Sequence, residues 1–585
     1  METKDTTSAK VIELYILKAC TSMIRYSPCS QLSIQGFETP FEQHLNGQNR
    51  WIKLATAIPW DQMAALYYKR LSAHQGAPCV DARQVIAAMI IKHQLGLDDR
   101  GTIELIQENV YLQYFAGLSS FTTQPLFDPS LFVTLRKRMG ADLFDRFNQY
   151  IICKAQGKPL PVADAEDQAA SGGVDVDCND TAADHTTNKA VKQPVQNPPD
   201  HPACNDISTP DEKNKTGSGD TQQSSADDNK PVTNTCSLNN KGKLMLDATV
   251  APQQILYPTD LDLVNRSREE SERLIDELTS HLALKKKPRT YRRNARKQYL
   301  NVAKKKNKTK KQLRRAIKGG LQYLRRNLNS IDQLLDKTAE QPGPLSFRDL
   351  KIMWVIRLIY EQQQQMYKDG THSVPHRIVN IYQPHVRPIV RGKAAAHTEF
   401  GAKLDVSLSN GYARLDQISW EAYNESTHLK MQVENYHRLH GYYPEAMICD
   451  GIYGTRDNRT WLSQRNIRFV GKPLGRPSKE SLTAYQKQKQ KRERASRNQI
   501  EGKFGQGKQG YGLDNIRARL QPTSESWIAC IFFVMNLQRF IALLLKNLLN
   551  SLADLHQWLL KRDEKIFLLP HPINLYPAGY KNYFC

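Results

Sequence analysis

The 585-residue sequence lacks the usual marks of a zinc-ribbon, secreted or membrane protein. Its ten cysteines are scattered and include no Cys-x2-Cys pair, which excludes a zinc ribbon and gives no disulfide framework. No uninterrupted apolar run reaches the roughly 18 residues expected of a transmembrane span. Glu13 and Lys18 break the first apolar run, which is unlike a secretory signal. We therefore expect a cytoplasmic protein with reduced thiols and no membrane partner.

Acidic residues are too few to balance the basic ones. Lys and Arg number 82 against 59 Asp and Glu, so the formal net charge is +23. Residues 161–240 have the opposite charge balance, with 14 acidic residues, 5 basic residues and no aromatic residue. Such a composition cannot bury enough apolar surface to fold, so residues 156–241 are predicted to be a disordered acidic linker. The remaining chain is more basic still, which predicts a polyanionic partner.

The region before the linker has helical periodicity. Over residues 51–155 the apolar side chains recur at helical spacing, as in the stripe from Ala82 through Val85 and Met89, and Asp81 is placed to cap that helix. We predict an all-helical domain here, preceded by an N-terminal extension over residues 1–50. From the residues alone, a plain packing domain and a DNA-binding domain are both open.

After residue 242 the apolar period changes from helical to two, which is typical of strands. An Asn-Gly pair between two alternating runs favours a type I′ hairpin. The strand predictions are Lys243–Val250, the hairpin around Asn410-Gly411, Ala446–Asp450 and Ile467–Val470. Strands, hairpin and helices together indicate an α/β domain over residues 242–545, followed by a C-terminal tail over residues 546–585.

A dense basic block interrupts this α/β region. Between Lys285 and Arg326 there are 19 Lys and Arg residues and no acidic one. Apolar residues are interleaved at partly helical spacing, which predicts a helical insertion over about 285–370 with a phosphate-binding face. A solvated or disordered run is the alternative. The candidate phosphate contacts are Arg292, Arg293, Lys304 and Lys305.

Three carboxylates stand out as candidate metal ligands. Asp247 and Asp450 lie in or end apolar strand-like runs, and Glu501 lies in a helical stretch. Hard cations such as Mg²⁺ prefer oxygen ligands, so carboxylates on two strands and a helix could form a metal site. Each has a structural alternative: Asp247 could cap a turn, Asp450 could begin the glycine-rich turn, and Glu501 could pair with Arg497 one helical turn earlier.

The helical stretch that carries Glu501 also concentrates cations. On a wheel of 100° per residue, Arg494, Arg497 and Lys508 fall on the same face as Glu501. We therefore expect a single helix face on which one carboxylate lies in a row of cations.

This Arg-x3-Glu-x6-Lys spacing resembles the signature of bacterial insertion-sequence transposases of the DDE class, in the broad IS-four/IS-five group. The signature's tyrosine, three places before Arg497, is Arg494 here. The resemblance begins near Met23, which leaves open whether translation starts at Met1 or at Met23. It continues through Leu246–Pro252, Gln383–Pro388, Phe400–Leu404 and Cys449–Tyr453.

The resemblance implies a fold and a chemistry. The fold is an α/β, RNase H-like catalytic core with a helical insertion, preceded by an InsH-like helical domain that recognises terminal inverted repeats. Asp247, Asp450 and Glu501 are implied as catalytic ligands of two Mg²⁺ ions, for which Mn²⁺ can substitute. Arg494, Arg497 and Lys508 are implied as DNA contacts.

The implied activity is cleavage of double-stranded DNA at transposon ends and transfer of those ends to target DNA by a homodimer in a synaptic complex. Two alternatives stay open: a metal-dependent nuclease of similar fold, and a non-catalytic DNA-binding protein or repressor derived from a transposase.

Overall fold

The computed structural model describes residues 44–71, 79–158, 240–337, 345–390, 398–471 and 483–566, together with Phe37 and Gly343. Within these ranges the chain is a mixed α/β protein with one six-stranded sheet and many helices. The predicted N-terminal extension, the acidic linker and the last residues of the predicted tail lie almost wholly outside the described residues.

Helices occupy the N-terminal region, as the apolar spacing predicted. The predicted cap at Asp81 is confirmed, because Asp81 accepts hydrogen bonds from the backbone N–H groups of Arg83 and Gln84. The last helix is kinked at Gly140, whose positive φ of 62° breaks the helical path. The helices are α1 (Arg50–Ala57), α2 (Trp60–Tyr68), α3 (Ala82–Leu95), α4 (Asp99–Glu108), α5 (Val110–Phe115) and α6 (Leu131–Ala155).

The sheet is built around its first strand. Its strands are β1 (Lys243–Pro252), β2 (Arg387–Val390), β3 (Thr398–Ser409), β4 (Tyr412–Ser419), β5 (Ala446–Ile448) and β6 (Arg468–Val470). Strand β1 pairs antiparallel with β3 on one side and parallel with β5 on the other, and β6 extends the parallel side. Strands β2 and β4 both pair antiparallel with β3. The first strand therefore lies at the centre of a mixed sheet.

The predicted hairpin is confirmed. Asn410 and Gly411 both have positive φ, 52° and 80°, and they connect β3 directly to β4. Strand β2 was not predicted, because it has four residues and includes Pro388, which cannot donate a backbone hydrogen bond. It occurs where such a strand is tolerated, beside the end of β3.

Four helices follow β1 and form the insertion. They are α7 (Asp260–His281), α8 (Arg292–Ala303), α9 (Lys310–Asp336) and α10 (Phe347–Asp369). The basic block is therefore helical across α8 and α9, and the alternative of a disordered run is wrong for these described residues. The apolar side chains between the cations explain this: Leu324, Leu328 and Ile331 of α9 pack with Leu274 of α7 and Ile356 of α10 in a separate core.

The remaining helices frame the sheet. They are α11 (Leu429–His440), α12 (Arg456–Gln464), α13 (Ala484–Ala495), α14 (Asn498–Tyr511) and α15 (Gln521–Ile566). Helix α15 has 46 residues and continues well past residue 545, where the sequence had suggested a tail.

Helix α15 joins two cores. Its Cys530, Phe533 and Leu537 pack with the N-terminal helices, whereas Ile528 and Phe532 pack against the sheet. Among the described residues it is also the one helix whose length and apolar composition could cross a membrane, over Gln521–His556. Of its most apolar window, 61% is buried inside this fold.

Candidate active site at the carboxyl ends of strands β1 and β5

Strand register places two of the predicted carboxylates side by side. Strands β1 and β5 run parallel, with Met245 opposite Ile448. Asp247 lies two residues beyond Met245 in β1, so it points to the same face of the sheet as Met245. Asp450 lies two residues beyond Ile448, just after the end of β5, so continuing the same register would bring it level with Asp247.

Helix α14 crosses that same face and brings the third carboxylate. Its Ile500 is fully buried and packs in the sheet core with Met245 and Ile448. Close packing further along the helix depends on Gly507, where an added Cβ would lie 3.1 Å from a Leu513 methyl group. Because Ile500 anchors the helix over the sheet, the neighbouring Glu501 is held at the margin of the same face.

Arg497 links the carboxylates. One of its guanidinium nitrogens lies 2.6 Å from Oε1 of Glu501, and another lies 3.6 Å from Oδ2 of Asp450. The pairing of Arg497 with Glu501, which was the structural alternative for that carboxylate, is thus present. It does not exclude a site, since the same guanidinium also reaches Asp450 on the neighbouring strand.

The carboxyl group of Asp247 has a raised pKa. Burial raises its pKa from 3.8 to about 6, and the nearby carboxylates of Glu425 and Glu501 raise it as well. A hydrogen bond from the backbone N–H of Ala248 and the positive charge of Arg497 oppose that rise. A buried carboxylate with a pKa near neutrality is one of the marks of a functional site.

The turn that carries Asp450 is stabilised by hydrogen bonds to its backbone. Asp450 itself accepts a hydrogen bond of 2.6 Å from the backbone N–H of Gly451, which fixes the start of the turn. The side-chain amide of Asn458 donates to the carbonyl oxygens of Ser426 and Tyr453, which ties this turn to the one that follows β4. The backbone around the second aspartate is therefore braced by hydrogen bonds.

A contact between a buried aspartate and a histidine lies on the opposite face of the sheet. Asp405 is fully buried at the middle of β3, and Nδ1 of His428 lies 2.6 Å from its Oδ2. Sequence reasoning missed this pair and also Glu425, although an aspartate within the alternating pattern of β3 was a visible signal. No spacing in the sequence marks Glu425 or His428.

The expected single helix face is wrong in one respect. Helix α13 ends at Ala495, and Ser496 and Arg497 form a turn before α14 begins at Asn498. Arg494 therefore belongs to α13, while Glu501 and Lys508 belong to α14. At this turn the hydroxyl of Ser496 donates to the backbone carbonyl oxygen of Glu493, an alternative to continuing the helical hydrogen bonds. The Glu493 side chain is in turn held by both terminal nitrogens of Arg468 on β6, each at 2.8 Å.

The other predicted DNA contacts are placed as follows. Lys508 is partly buried on α14, two turns beyond Glu501. Arg293, Lys304 and Lys305 are exposed on or just after α8. Arg292 is turned toward the fold instead, because it forms ion pairs of 3.1 and 2.7 Å with Glu272 and Asp276 of α7.

The three candidate ligands are of the chemical type that a hard cation binds. All three side chains are carboxylates, and Mg²⁺ prefers oxygen ligands of this sort. Among the described residues, however, no three His, Cys, Asp or Glu side chains lie close enough together to hold a metal ion. The positive charge of Arg497 already lies against two of the carboxylates. The residues fit a divalent cation by chemistry, and a tighter cluster requires Arg497 to leave its partners.

Comparison with known proteins gives two matches. A family model described as "Transposase DDE domain" matches residues 447–538, which include Asp450 and Glu501. A second, described as "Transposase domain (DUF772)", matches residues 39–138, which include most of the N-terminal helices. No curated protein and no solved structure matches the chain.

Proposed function

We propose, from the matches to a transposase DDE domain and to a DUF772 transposase domain, that the chain is an insertion-sequence transposase of the DDE class. In this proposal it binds the terminal inverted repeats of its own element, cleaves DNA there and transfers the ends to target DNA. The observation that carries the proposal is the convergence of Asp450, Glu501 and Asp247 around Arg497 on one sheet face. DNA-binding, catalysis and a cytoplasmic location are parts of the proposal.

The sheet supports an RNase H-like core. The predicted succession of strand, hairpin, strand, helix and strand is present, with β1 between the antiparallel β3 and the parallel β5. The insertion enters between β1 and β2, so it extends the core without interrupting the parallel pair that carries the aspartates. We infer that residues 242–545 act as the catalytic domain and residues 51–155 as the repeat-binding domain.

Three carboxylates would hold the divalent ions. Asp247, Asp450 and Glu501 are the proposed ligands of two Mg²⁺ ions, which Mn²⁺ can replace. When bound, such ions lower the pKa of the attacking oxygen and neutralise the leaving oxygen of a phosphodiester. The protein's own contribution is to hold three negative charges on a sheet and a helix, at a place where Asp247 is partly buried and Asp450 and Glu501 are exposed.

Arg497 has a separate role in this proposal. In the DNA-free protein its guanidinium offsets the repulsion between Asp450 and Glu501. A DNA-backbone phosphate offers the same guanidinium a bidentate partner. Transfer of Arg497 from carboxylate to phosphate would leave the carboxylates available to a cation as DNA arrives, which couples binding to assembly of the site.

Basic surfaces would supply most of the affinity for DNA. The exposed cations of α8 and α9 form a dense basic surface, and phosphate contacts of this kind are sequence-independent. Arg293, Lys304, Lys305, Arg494 and Lys508 are proposed to contact phosphates, whereas Arg292 is engaged by α7. Cleavage of two ends and their joining to one target require two active sites, so a homodimer is part of the proposal.

The test compares two site variants with one control. Asp450→Asn and Glu501→Gln keep the size of the side chain and remove its charge, and Glu445→Gln does the same to an exposed carboxylate just before β5. On linear DNA carrying the element's ends with Mg²⁺ or Mn²⁺, both site variants should bind but lose cleavage and strand transfer by several orders of magnitude. The control should retain both activities.

Three other results would change the conclusion. Substantial cleavage by either site variant would remove that residue from the site. Cleavage by the wild-type protein without joining of ends would favour a metal-dependent nuclease. Metal-independent DNA binding without any cleavage would favour a non-catalytic DNA-binding protein.

A further inference from the structure

Helix α10 presents an apolar stripe to solvent. Its inner side is buried in the core of the insertion through Ile352, Ile356 and Ile359. Its outer side exposes large apolar side chains at helical spacing: Phe347 is 86% exposed, Trp354 62%, Leu358 47% and Leu350 37%. At 100° per residue these four positions fall on one face of the helix, so they form a continuous stripe.

The stripe is too large to be incidental. Aromatic side chains present on the order of 150–250 Å² each, so the four residues together expose roughly 400–500 Å² of apolar surface. Monomeric proteins rarely expose contiguous apolar patches larger than a few hundred Å², and the largest patch is often functional. An exposed tryptophan at the middle of such a stripe is the residue type most enriched at binding hot spots.

The charged residues on this face identify the partner as a second copy of the chain. Lys351 precedes Ile356 by five residues, and Glu361 follows it by five. Trp354 and Leu358 are placed symmetrically about the same residue, two before and two after. Both charged side chains are exposed on this outer side and form no ion pair within the described part of the chain. An antiparallel copy related by an axis level with Ile356 would therefore place Lys351 opposite Glu361 and Trp354 opposite Leu358. Leu350 and Phe347 would lie opposite Gln362 and Gln365, at the two ends of the contact.

We propose that the α10 stripe, defined as Phe347, Leu350, Trp354 and Leu358, is the contact through which two copies of this chain associate antiparallel about a two-fold axis near Ile356. A two-fold contact uses the same patch on both copies and must be self-complementary. Lys351 of each copy would then lie level with the second copy's Glu361, and both side chains are long enough to reach across the helix pair.

The contact itself is inferred from α10 alone, and only its biological role rests on the proposed function, because the pairing of two element ends requires two copies. The buried area is below that of a standard stable interface, so the contact is of the weak class. The surrounding helices are strongly basic, and mutual repulsion opposes association without DNA. When two copies are bound to one DNA complex, their effective concentration reaches the millimolar range, which is enough for a weak contact to form.

The test measures self-association of the full-length protein without DNA. Sedimentation velocity at roughly 10–100 μM suits a weak contact. Salt of about 0.3 M shortens the Debye length to well under 10 Å and so screens the basic helices. The wild-type protein should show a concentration-dependent dimer, and Trp354→Glu should weaken dimerisation by at least about tenfold.

A charge exchange makes the test specific for this contact. Lys351→Glu and Glu361→Lys should each weaken the dimer, because each puts like charges level with one another. The double variant should restore it. These two residues are ten positions apart on one helix and cannot contact each other within a chain, so restoration can come only from a second copy. Val390→Glu, on the exposed edge strand β2, is the control and should leave the dimer unchanged.

Other outcomes overturn the proposal. A dimer that survives Trp354→Glu but dissociates in Leu552→Glu would place the contact on the exposed end of α15 instead. A wild-type protein that sediments as a monomer throughout, or a double variant no better than the single ones, would reject the stripe. The proposed function is judged separately. A protein that dimerises as expected but does not cleave DNA would refute the transposase function and support the contact. A protein that cleaves DNA but whose dimer is unaffected by these substitutions would support the function and refute the contact.

Discussion

Asp247→Asn should make the folded protein more stable while it abolishes activity. In the native fold the carboxyl has a pKa of about 6 instead of 3.8, because burial disfavours its charged form. One pKa unit corresponds to about 1.4 kcal/mol, so keeping this carboxylate ionised in the fold costs about 3 kcal/mol. Asparagine has the same shape and no charge, and therefore it removes that cost.

The gain has a defined pH dependence. Between roughly pH 4 and pH 6 the native state holds a proton that the unfolded state has released. Stability due to this carboxyl is therefore fully present below about pH 4, falls as pH rises through 6, and is lost above it. The difference in unfolding free energy between variant and wild type should be near zero at pH 4 and should reach about 3 kcal/mol at pH 7.

The assay is thermal unfolding over this pH range, with and without Mg²⁺. In metal-free buffer the Tm of Asp247→Asn should exceed that of the wild type by several degrees at pH 7 and should match it near pH 4. Added Mg²⁺ should raise the Tm of the wild type and not that of the variant, since an ion bound only by the native state stabilises it. Glu445→Gln should show neither effect. A variant less stable than wild type at pH 7, or a difference independent of pH, would refute the reasoning.

Three further predictions follow from other contacts. Arg497→Gln removes the cation that lowers the pKa of Asp247, so the loss of stability should move to pH values above 6, as measured by Tm against pH with Asp247→Asn as the reference. Neutralising Lys304 and Lys305 should weaken binding to all duplexes alike and reduce the slope of log K against log salt by about 2, and an unchanged slope would mean they contact no phosphate. Asp99→Asn strips two buried cations of α3 and α6 of their shared carboxylate, so it should destabilise the fold by about 3–5 kcal/mol in chemical unfolding.

Local chemistry made much of the fold predictable. The Asn410-Gly411 turn and the Asp81 cap of α3 each depend on a side chain or backbone preference within a few residues. The amphipathic spacing in the basic block likewise identified helices that a count of charges would have missed. For the site, the two strand-borne aspartates and the helix-borne glutamate could be named because each stands out in its own segment.

What the sequence could not supply depends on distant partners. The position of α13 involves a contact of its Glu493 with Arg468 on β6, which the helical spacing of Arg494 and Glu501 could not reveal. The position of Arg497 between two carboxylates depends on how α14 crosses the sheet. Asp405 pairs with His428 across a turn whose path is set by packing. Long-range contacts of this kind leave no periodic mark in a sequence.

The placement of α15 has a consequence for how the protein is made. This helix fills the core of the N-terminal helices with one side and the core of the sheet with the other, yet it follows every other described helix and strand in the chain. Neither core can close until residues near Phe540 have been synthesised. A product cut short before Gln521 by a premature stop codon or a frameshift should therefore fail to fold in both halves, and it should be degraded instead of persisting as a shortened DNA-binding competitor.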